Sequence, residues 1–305
     1  MRRARTSRAA PPVETIPAAS AERPTAALAA AGVIPSRARG QNFLVQPRVA
    51  DRIVALAHLE AGETALEIGP GLGILTERIA AAPVGRIILI ELDARLAARL
   101  AQRFGADPRV VVVNRDFMAL EPGQIADAAP IKVIGNLPFN SAAAILERLA
   151  ALRGRIARMT LMFQREVGER IRAQPGAPAY GALSVYTALY WEIAEHFRVG
   201  AGCFHPRPKV DAEVLAFAPR MDEVGGPARE RAILAAIRAA FSAPRKTLRN
   251  ALGHTLGMPP AAVESALLDA GIDPAARAGT LGIQQFARLA QTIEREQAAW
   301  GKRDA

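Results

Sequence analysis

The sequence predicts an α/β protein, with a doubly wound domain over residues 34–219 and a small all-helical domain over residues 220–305. Three observations carry this. From residue 48 to 164, short apolar strands alternate with helical stretches. The strands are nearly continuous apolar runs, the pattern of a parallel sheet covered by helices on both faces. After "DEVGGP" (222–227) the character changes to helix after helix, which places the boundary near residue 220.

In order, a helix near 48–59 precedes a strand at "TALEIG" (64–69). A helix near 73–82 leads to a strand at "RIILIE" (86–91). A helix over 93–104 precedes a strand at "RVVVVN" (109–114). A strand over 131–135, a helix over 141–152 and a strand at "MTLMFQ" (159–164) continue the alternation. Apolar runs at "LSVYTALYW" (183–191) and "AEVLAFAP" (212–219) read as the strands that complete the sheet.

The net charge is +10 and the pI about 10.8, a balance that suits a polyanionic partner such as nucleic acid. Half of that charge comes from the first forty residues, where seven arginines face Glu14 and Glu22. Residues 1–33 are rich in Ala, Pro and Arg without a sustained period and read as a disordered tail. An Arg-rich, acid-poor start is also compatible with a transit peptide. No apolar run reaches the roughly 18 residues of a membrane span, so no membrane partner is expected. The single cysteine, Cys203, excludes an intramolecular disulfide and a cysteine-built zinc site and fits a reducing compartment. No metal site is expected.

"EIGPGLG" (67–73) follows the first long strand and opens a helix. Gly69, Gly71 and Gly73 let the backbone turn tightly and approach a ligand. A dinucleotide fingerprint wants a further glycine at position 74, where this chain has Ile74. Glu91 ends the next strand, where an acid accepts both hydroxyls of a ribose. Asp116 follows the third strand, where a carboxylate accepts from an adenine amino group. Taken singly, each acid is also compatible with an ordinary strand-end surface residue. Together, one for ribose and one for adenine, they suit S-adenosylmethionine better than NAD.

"NLPF" (136–139) ends the strand over 131–135 and faces the same crevice, because ligands bind outside the carboxyl ends of such strands. An exocyclic adenine nitrogen is a poor nucleophile, its lone pair being delocalised into the ring. The Asn136 amide oxygen and the Leu137 carbonyl are acceptors for its hydrogens. Pro138 holds Leu137 extended, and Phe139 offers a face for the base. The alternative is a Pro-containing turn with a buried Phe.

From about Ser36 onward the chain resembles the ribosomal RNA adenine dimethyltransferases, and within them the small-subunit branch. "RARGQNFL" (37–44) is similar to the family's first cofactor motif, which implies that Asn42 and Leu44 contact S-adenosylmethionine. "EIGPGLG" supplies Gly69, "ELD" Glu91 and "RDF" Asp116; "NLPF" resembles the catalytic motif. "FHPRPKVDAEV" (204–214) resembles the family's target loop, which implies that Phe204 stacks on the other face of the target base; a core position is the alternative. Ala212 stands where Ser is usual, and His205 is commoner in the large-subunit branch. "FSAPRKTLRNAL" (241–252) and "AGIDPAARAGTL" (270–281) resemble the small-subunit branch. The fold implied is a doubly wound, Rossmann-like methyltransferase domain with a helical RNA-binding domain.

Arg245 and Arg249 are four apart and share a helix face beside Lys246. The two readings are a solvated charged face and a surface that contacts RNA phosphates; Arg165 and Arg170 are further candidates. The resemblance implies dimethylation of two adjacent adenosines near the 3′ end of small-subunit ribosomal RNA. It further implies an assembling small subunit as the substrate, and the enzyme is expected to be a cytoplasmic monomer. Other readings are a large-subunit methylase of the antibiotic-resistance type, an assembly factor whose main role is not catalytic, and a mitochondrial paralogue if the tail is a transit peptide. An NAD oxidoreductase fails on the glycine spacing.

Overall fold

The structure is a computed structural model. It describes residues 15, 16, 28, 32, 35, 41–121, 130–138, 141–220, 224 and 229–301. Phe139 and residues 37–40 lie outside them, as does nearly all of the stretch 1–33. In chain order the strands are β1 (Thr15–Ile16), β2 (Phe43–Leu44), β3 (Thr64–Ile68), β4 (Arg86–Glu91), β5 (Val110–Asn114), β6 (Ile131–Asn136), β7 (Ile156–Gln164), β8 (Trp191–Val199), β9 (Phe204–His205) and β10 (Ala212–Pro219). The helices are α1 (Pro47–Leu56), α2 (Ile74–Ala81), α3 (Ala94–Phe104), α4 (Ala142–Ala151), α5 (Arg165–Arg172), α6 (Ala182–Tyr190), α7 (Glu230–Phe241), α8 (Leu248–Leu256), α9 (Pro260–Asp269) and α10 (Ile283–Gly301).

Eight strands form one sheet in the order β1-β8-β10-β7-β6-β3-β4-β5, and β2 pairs with β9 in a second. The chain lays down β3, moves outward through β4 and β5, and returns to place β6 on the other side of β3. These neighbours are parallel, with Glu67 beside both Leu89 and Ile134. The reversal between β3 and β6 opens a crevice at the carboxyl ends of the strands, the site at which such folds bind ligands. β3 is buried along its whole length, the pattern of a central parallel strand.

Local sequence explains the helix starts. Pro47 begins α1, where a missing N–H costs nothing. Asp93 caps α3, its side chain accepting from the Arg95 N–H at 3.0 Å. The last carbonyls of α2 and the turn after it, from Ala80, Ala82 and Val84, accept from the Arg109 guanidinium. The apolar faces of α1, α2 and the sheet meet in one cluster containing Val49, Ile53, Ala65, Ile79, Ile87 and Leu89.

The chain divides into two compact units. One is residues 1–142, 159–165 and 195–216; the other is 143–158, 166–194 and 217–305. In the second unit α10 packs on α6, α7 and α9, and α8 on α7 and α9. Phe241 stacks on Phe286 at 5.9 Å between ring centroids, and the Tyr180 hydroxyl donates to the Leu281 carbonyl at 2.7 Å. Glu230 binds both Arg153, at 2.6 Å, and the Tyr190 hydroxyl, at 2.7 Å.

Residues 183–191 do not form the expected strand. Residues 183–190 belong to α6, and the strand begins at Trp191. Buried residues occur around much of this helix, so its sequence has no polar stripe, and a short apolar run cannot be told from a strand by periodicity. The Ser184 side chain accepts from the Gly181 N–H at 3.0 Å and fixes the helix start. Within the stretch expected to be a disordered tail, Thr15–Ile16 pairs in parallel with Arg198 and Val199, and Leu28 is buried with Phe43 and Leu96. Isolated apolar residues among Ala and Pro carry no period from which such docking can be read.

Candidate active site

The glycine loop leaves β3 at the reversal. Gly71 has φ +57, and a Cβ there would lie 2.9 Å from the Phe43 ring; only glycine combines that backbone with so close a neighbour. Gly73, at φ +85, opens α2. Glu91 ends β4 and is buried. Its Oε2 accepts from the Gly71 N–H at 3.0 Å, and its Oε1 from the Asp93 N–H at 2.9 Å. Burial raises the Glu91 pKa, opposed by these two amides. A carboxylate has about four acceptor positions, so both oxygens can still accept from vicinal hydroxyls.

Asn114, paired with Glu91 across β4 and β5, donates through its amide to the Glu91 carbonyl at 2.9 Å. Asp116 lies beyond, exposed, and its Oδ1 accepts from the Met118 N–H at 2.9 Å. Leu92 and Met118 are among the few large apolar side chains left in water, 59% and 40% exposed. Leu92 follows β4 directly and Met118 lies two residues past Asp116, so both supply apolar surface near the two acids. Sequence reasoning missed both; the available signal, an apolar residue immediately after a strand-end acid, existed for Leu92 alone.

Across the reversal, Ile68 of β3 pairs with Gly135 of β6, and a Cβ on Gly69 would sit 4.0 Å from the Asn136 carbonyl oxygen. The Asn136 side-chain nitrogen donates to the Asn42 carbonyl at 3.0 Å. Leu137 is buried and its N–H donates to the Met162 carbonyl at 3.2 Å. The Pro138 carbonyl accepts from the Ser141 N–H at 3.2 Å. Asn42, Gly69, Glu91 and Asn136 therefore meet around one crevice.

Two expected site residues, Leu44 and Phe204, are buried. Phe204 pairs with Leu44 across β9 and β2, and both are buried, at 4% and 3% exposure, in the apolar cluster with Met162, Cys203 and Ala212. Stacking by Phe204 would require its ring to leave close packing, so this geometry gives it the core position. The reason is non-local: Val45 N–H donates to the Cys203 carbonyl at 2.9 Å, which draws the target loop onto β2 and turns these side chains inward.

The crevice fits S-adenosylmethionine: a loop free of side chains at Gly71, a buried ribose-type acid, apolar surface at Leu92 and Met118, and no fourth glycine for a pyrophosphate. Residues 36–295 match the family model of the ribosomal RNA adenine dimethylases. A ribosomal RNA small subunit methyltransferase A of Geobacter sulfurreducens is 39% identical over 266 residues, covering 86% of this chain and 96% of the relative. The chain belongs to the ribosomal RNA adenine dimethylase family. A ribosomal RNA small subunit methyltransferase A of Syntrophotalea carbinolica is 41% identical over 265 residues, 85% of this chain and 97% of the relative. A crystal structure of the 23S rRNA methyltransferase ErmE aligns with TM-score 0.64 at 26% identity, over 83% of this chain and all of that one. The fold also matches a dimethyladenosine transferase from Plasmodium falciparum, TM-score 0.70 at 21% identity, over 84% of this chain and 98% of that one.

The dimethylase's second unit carries the basic helix. Arg245, Lys246 and Arg249 are all exposed at the start of α8. Arg249 reaches Glu264 at 3.2 Å, which offsets its charge. The Leu248 and Arg249 N–H groups donate to the Ala276 and Pro274 carbonyls, at 2.8 and 3.3 Å. That loop satisfies orphan helix amides and brings exposed Arg277 to the same end of α8. Sequence reasoning passed over Arg277, although "PAARAG" lies in a stretch whose family resemblance was clear.

Proposed function

We propose that this dimethylase transfers methyl groups from S-adenosylmethionine to the exocyclic amines of two adjacent adenosines, in the loop of the 3′-terminal helix of small-subunit ribosomal RNA, during subunit assembly. The observation that carries the reading is the Asn136 amide, anchored by the Asn42 carbonyl at 3.0 Å beside the glycine loop. Because its nitrogen is engaged, its oxygen is turned away as an acceptor for a target amine. The Leu137 carbonyl is a second acceptor, and Pro138 limits the backbone that aims it. Phe139 supplies a ring for the flipped base, which must leave its stack to reach a protein crevice.

S-adenosylmethionine supplies an electrophilic methyl on a sulfonium. The nucleophile is neutral, so positioning and polarisation of the amine by Asn136 and Leu137 carry the reaction. Glu91 holds the cofactor ribose, Asp116 its adenine, and Asn42 and Gly69 the loop that approaches it. Residues 34–219 act as the methyltransferase domain and residues 220–305 as the RNA-binding domain. Arg245 and Lys246 contact phosphates, and Arg249, whose charge Glu264 offsets at 3.2 Å, contributes least. The protein acts as a monomer in the cytoplasm. Among the described residues no helix is long and apolar enough to cross a membrane.

The choice of small-subunit RNA follows the relatives at 39% and 41% identity, which carry that name. Mass mapping of ribosomal RNA with and without the protein tests it. The expected result is loss of two adjacent dimethyladenosines from the small-subunit RNA alone. Their loss from large-subunit RNA, or no change in either, overturns the reading.

A further inference from the structure

Side chains alternate along a strand, and in-register parallel neighbours share a face. Glu67 pairs with Leu89 and Ile134. One face of the sheet therefore carries Ala65 and Glu67 of β3, Ile87, Leu89 and Glu91 of β4, and Ile134 and Asn136 of β6. Where it meets α1 and α2 this face is apolar: Ala65, Ile87, Leu89 and Ile134 pack with Ile53, Leu75 and Ile79. Glu67 interrupts it, 1% exposed, one step deeper than Glu91 on one side and Asn136 on the other. Its hydrogen bond comes from the Thr76 hydroxyl at 2.6 Å. Thr76 lies in the first turn of α2, the helix into which the glycine loop runs.

No cation compensates this acid among the described residues. From β4 it faces Glu91, another carboxylate. Asp93, just beyond, is engaged by Arg95. On β6 the basic group of the same face is Lys132, lower down and held by Glu63 at 2.7 Å. On α2, Glu77 and Arg78 bind each other, and Arg78 also binds Asp51 of α1. A buried carboxyl without a cation and beside a second carboxylate keeps its proton.

From this cluster we infer that Glu67 is a protonated brace beneath the glycine loop, a positioning residue whose proton sets the affinity of the crevice for S-adenosylmethionine and its thioether product. The inference rests on the cofactor reading above. In the neutral form Glu67 ties β3 to the start of α2 and leaves Glu91 as the charge on this face. Ionised, it places two carboxylates on one buried face, and Glu91, with the Gly71 amide that holds it, must move. Burial pushes the Glu67 carboxyl up to about 8, with Glu91 adding to the rise and the Thr76 hydroxyl opposing it. The unfolded chain releases this proton near the ordinary 4.5. Folding stability therefore falls as pH rises from about 4.5 to about 8, and Glu67 costs no more above that.

The test is calorimetric titration of the full chain with S-adenosylhomocysteine between about pH 6.5 and 9.5. The ligand's own α-amino group titrates near ~8, so wild type is compared with Glu67→Gln at each pH. The two should bind alike at the low end. Above about pH 8, wild-type affinity should fall roughly tenfold per pH unit relative to the variant. Wild type that fails to bind at the low end sinks the cofactor reading itself. Parallel profiles, or a Gln variant weaker throughout, overturn the brace alone. If Glu67→Gln does not fold, Thr76→Val serves: it removes a group that favours the ionised form, so the fall should move to higher pH, and an unmoved midpoint overturns the inference. Where the Gln variant folds, its stability advantage over wild type should grow between about pH 5 and 8; a constant difference means that Glu67 is charged throughout and ends the proposal.

Discussion

The Asn136 side-chain nitrogen donates to the backbone carbonyl of Asn42 at 3.0 Å, joining residues 94 apart in sequence. Because the anchor is a backbone carbonyl, it constrains the amide without depending on the side chain at position 42. Asn136→Ala should lower methyl transfer by about 10²–10³-fold, the cost of losing one aimed polar group at a reacting centre. The melting temperature should change little, since Asn136 is only partly buried. Asn136→Asp should be no better, because a carboxylate oxygen would face the Asn42 carbonyl. Turnover and thermal melts on the same preparations check this; wild-type turnover in the Ala variant would remove Asn136 from the chemistry.

Glu91 is held by the Gly71 and Asp93 amides, so its carboxylate is oriented before any ligand arrives. Glu91→Ala should weaken S-adenosylmethionine binding by about 1.5–3 kcal/mol, the range for hydrogen bonds to a charged group. Calorimetry on the folded variant measures it. Unchanged affinity would leave Glu91 as a structural clasp for the glycine loop.

Phe204 is packed in the core with Leu44. Phe204→Ala should therefore destabilise the fold by about 3–5 kcal/mol, seen in chemical denaturation, with methyl transfer per folded molecule largely kept. A stable variant with lost transfer would return Phe204 to the target base and require its ring to turn outward when RNA binds.

Arg245, Lys246 and Arg277 present exposed charge at one end of α8, whereas Arg249 is bound by Glu264. Neutralising the first three should flatten the salt dependence of subunit binding, by roughly 0.7–0.9 in the log–log slope for each phosphate that no longer meets a cation. Arg249→Ala alone should change the slope least. An unchanged slope in the triple variant would make this end of α8 a solvated face.

The alternation of strands and helices, the glycine loop and the acids at the strand ends were legible in the sequence. Each depends on short-range rules: side-chain period, helix caps, and the φ that only glycine adopts freely. From them follow the reversal between β3 and β6 and the meeting of Gly69, Glu91 and Asn136 around one crevice. Run length and apolarity could not decide residues 183–191, because a helix buried around much of its surface and a buried strand have the same composition; the Ser184–Gly181 hydrogen bond and the surrounding packing make 183–190 part of α6. Tertiary structure also decided which way polar and aromatic groups face. Phe204 turns inward because the Cys203 carbonyl is bound by Val45, Arg249 loses free charge because α9 brings Glu264 to it, and Glu67 takes a proton because the apolar faces of β3, β4, β6 and α2 close around it. These outcomes are set by interactions between residues far apart in the chain, and burial and electrostatics act on those interactions only once the chain has folded.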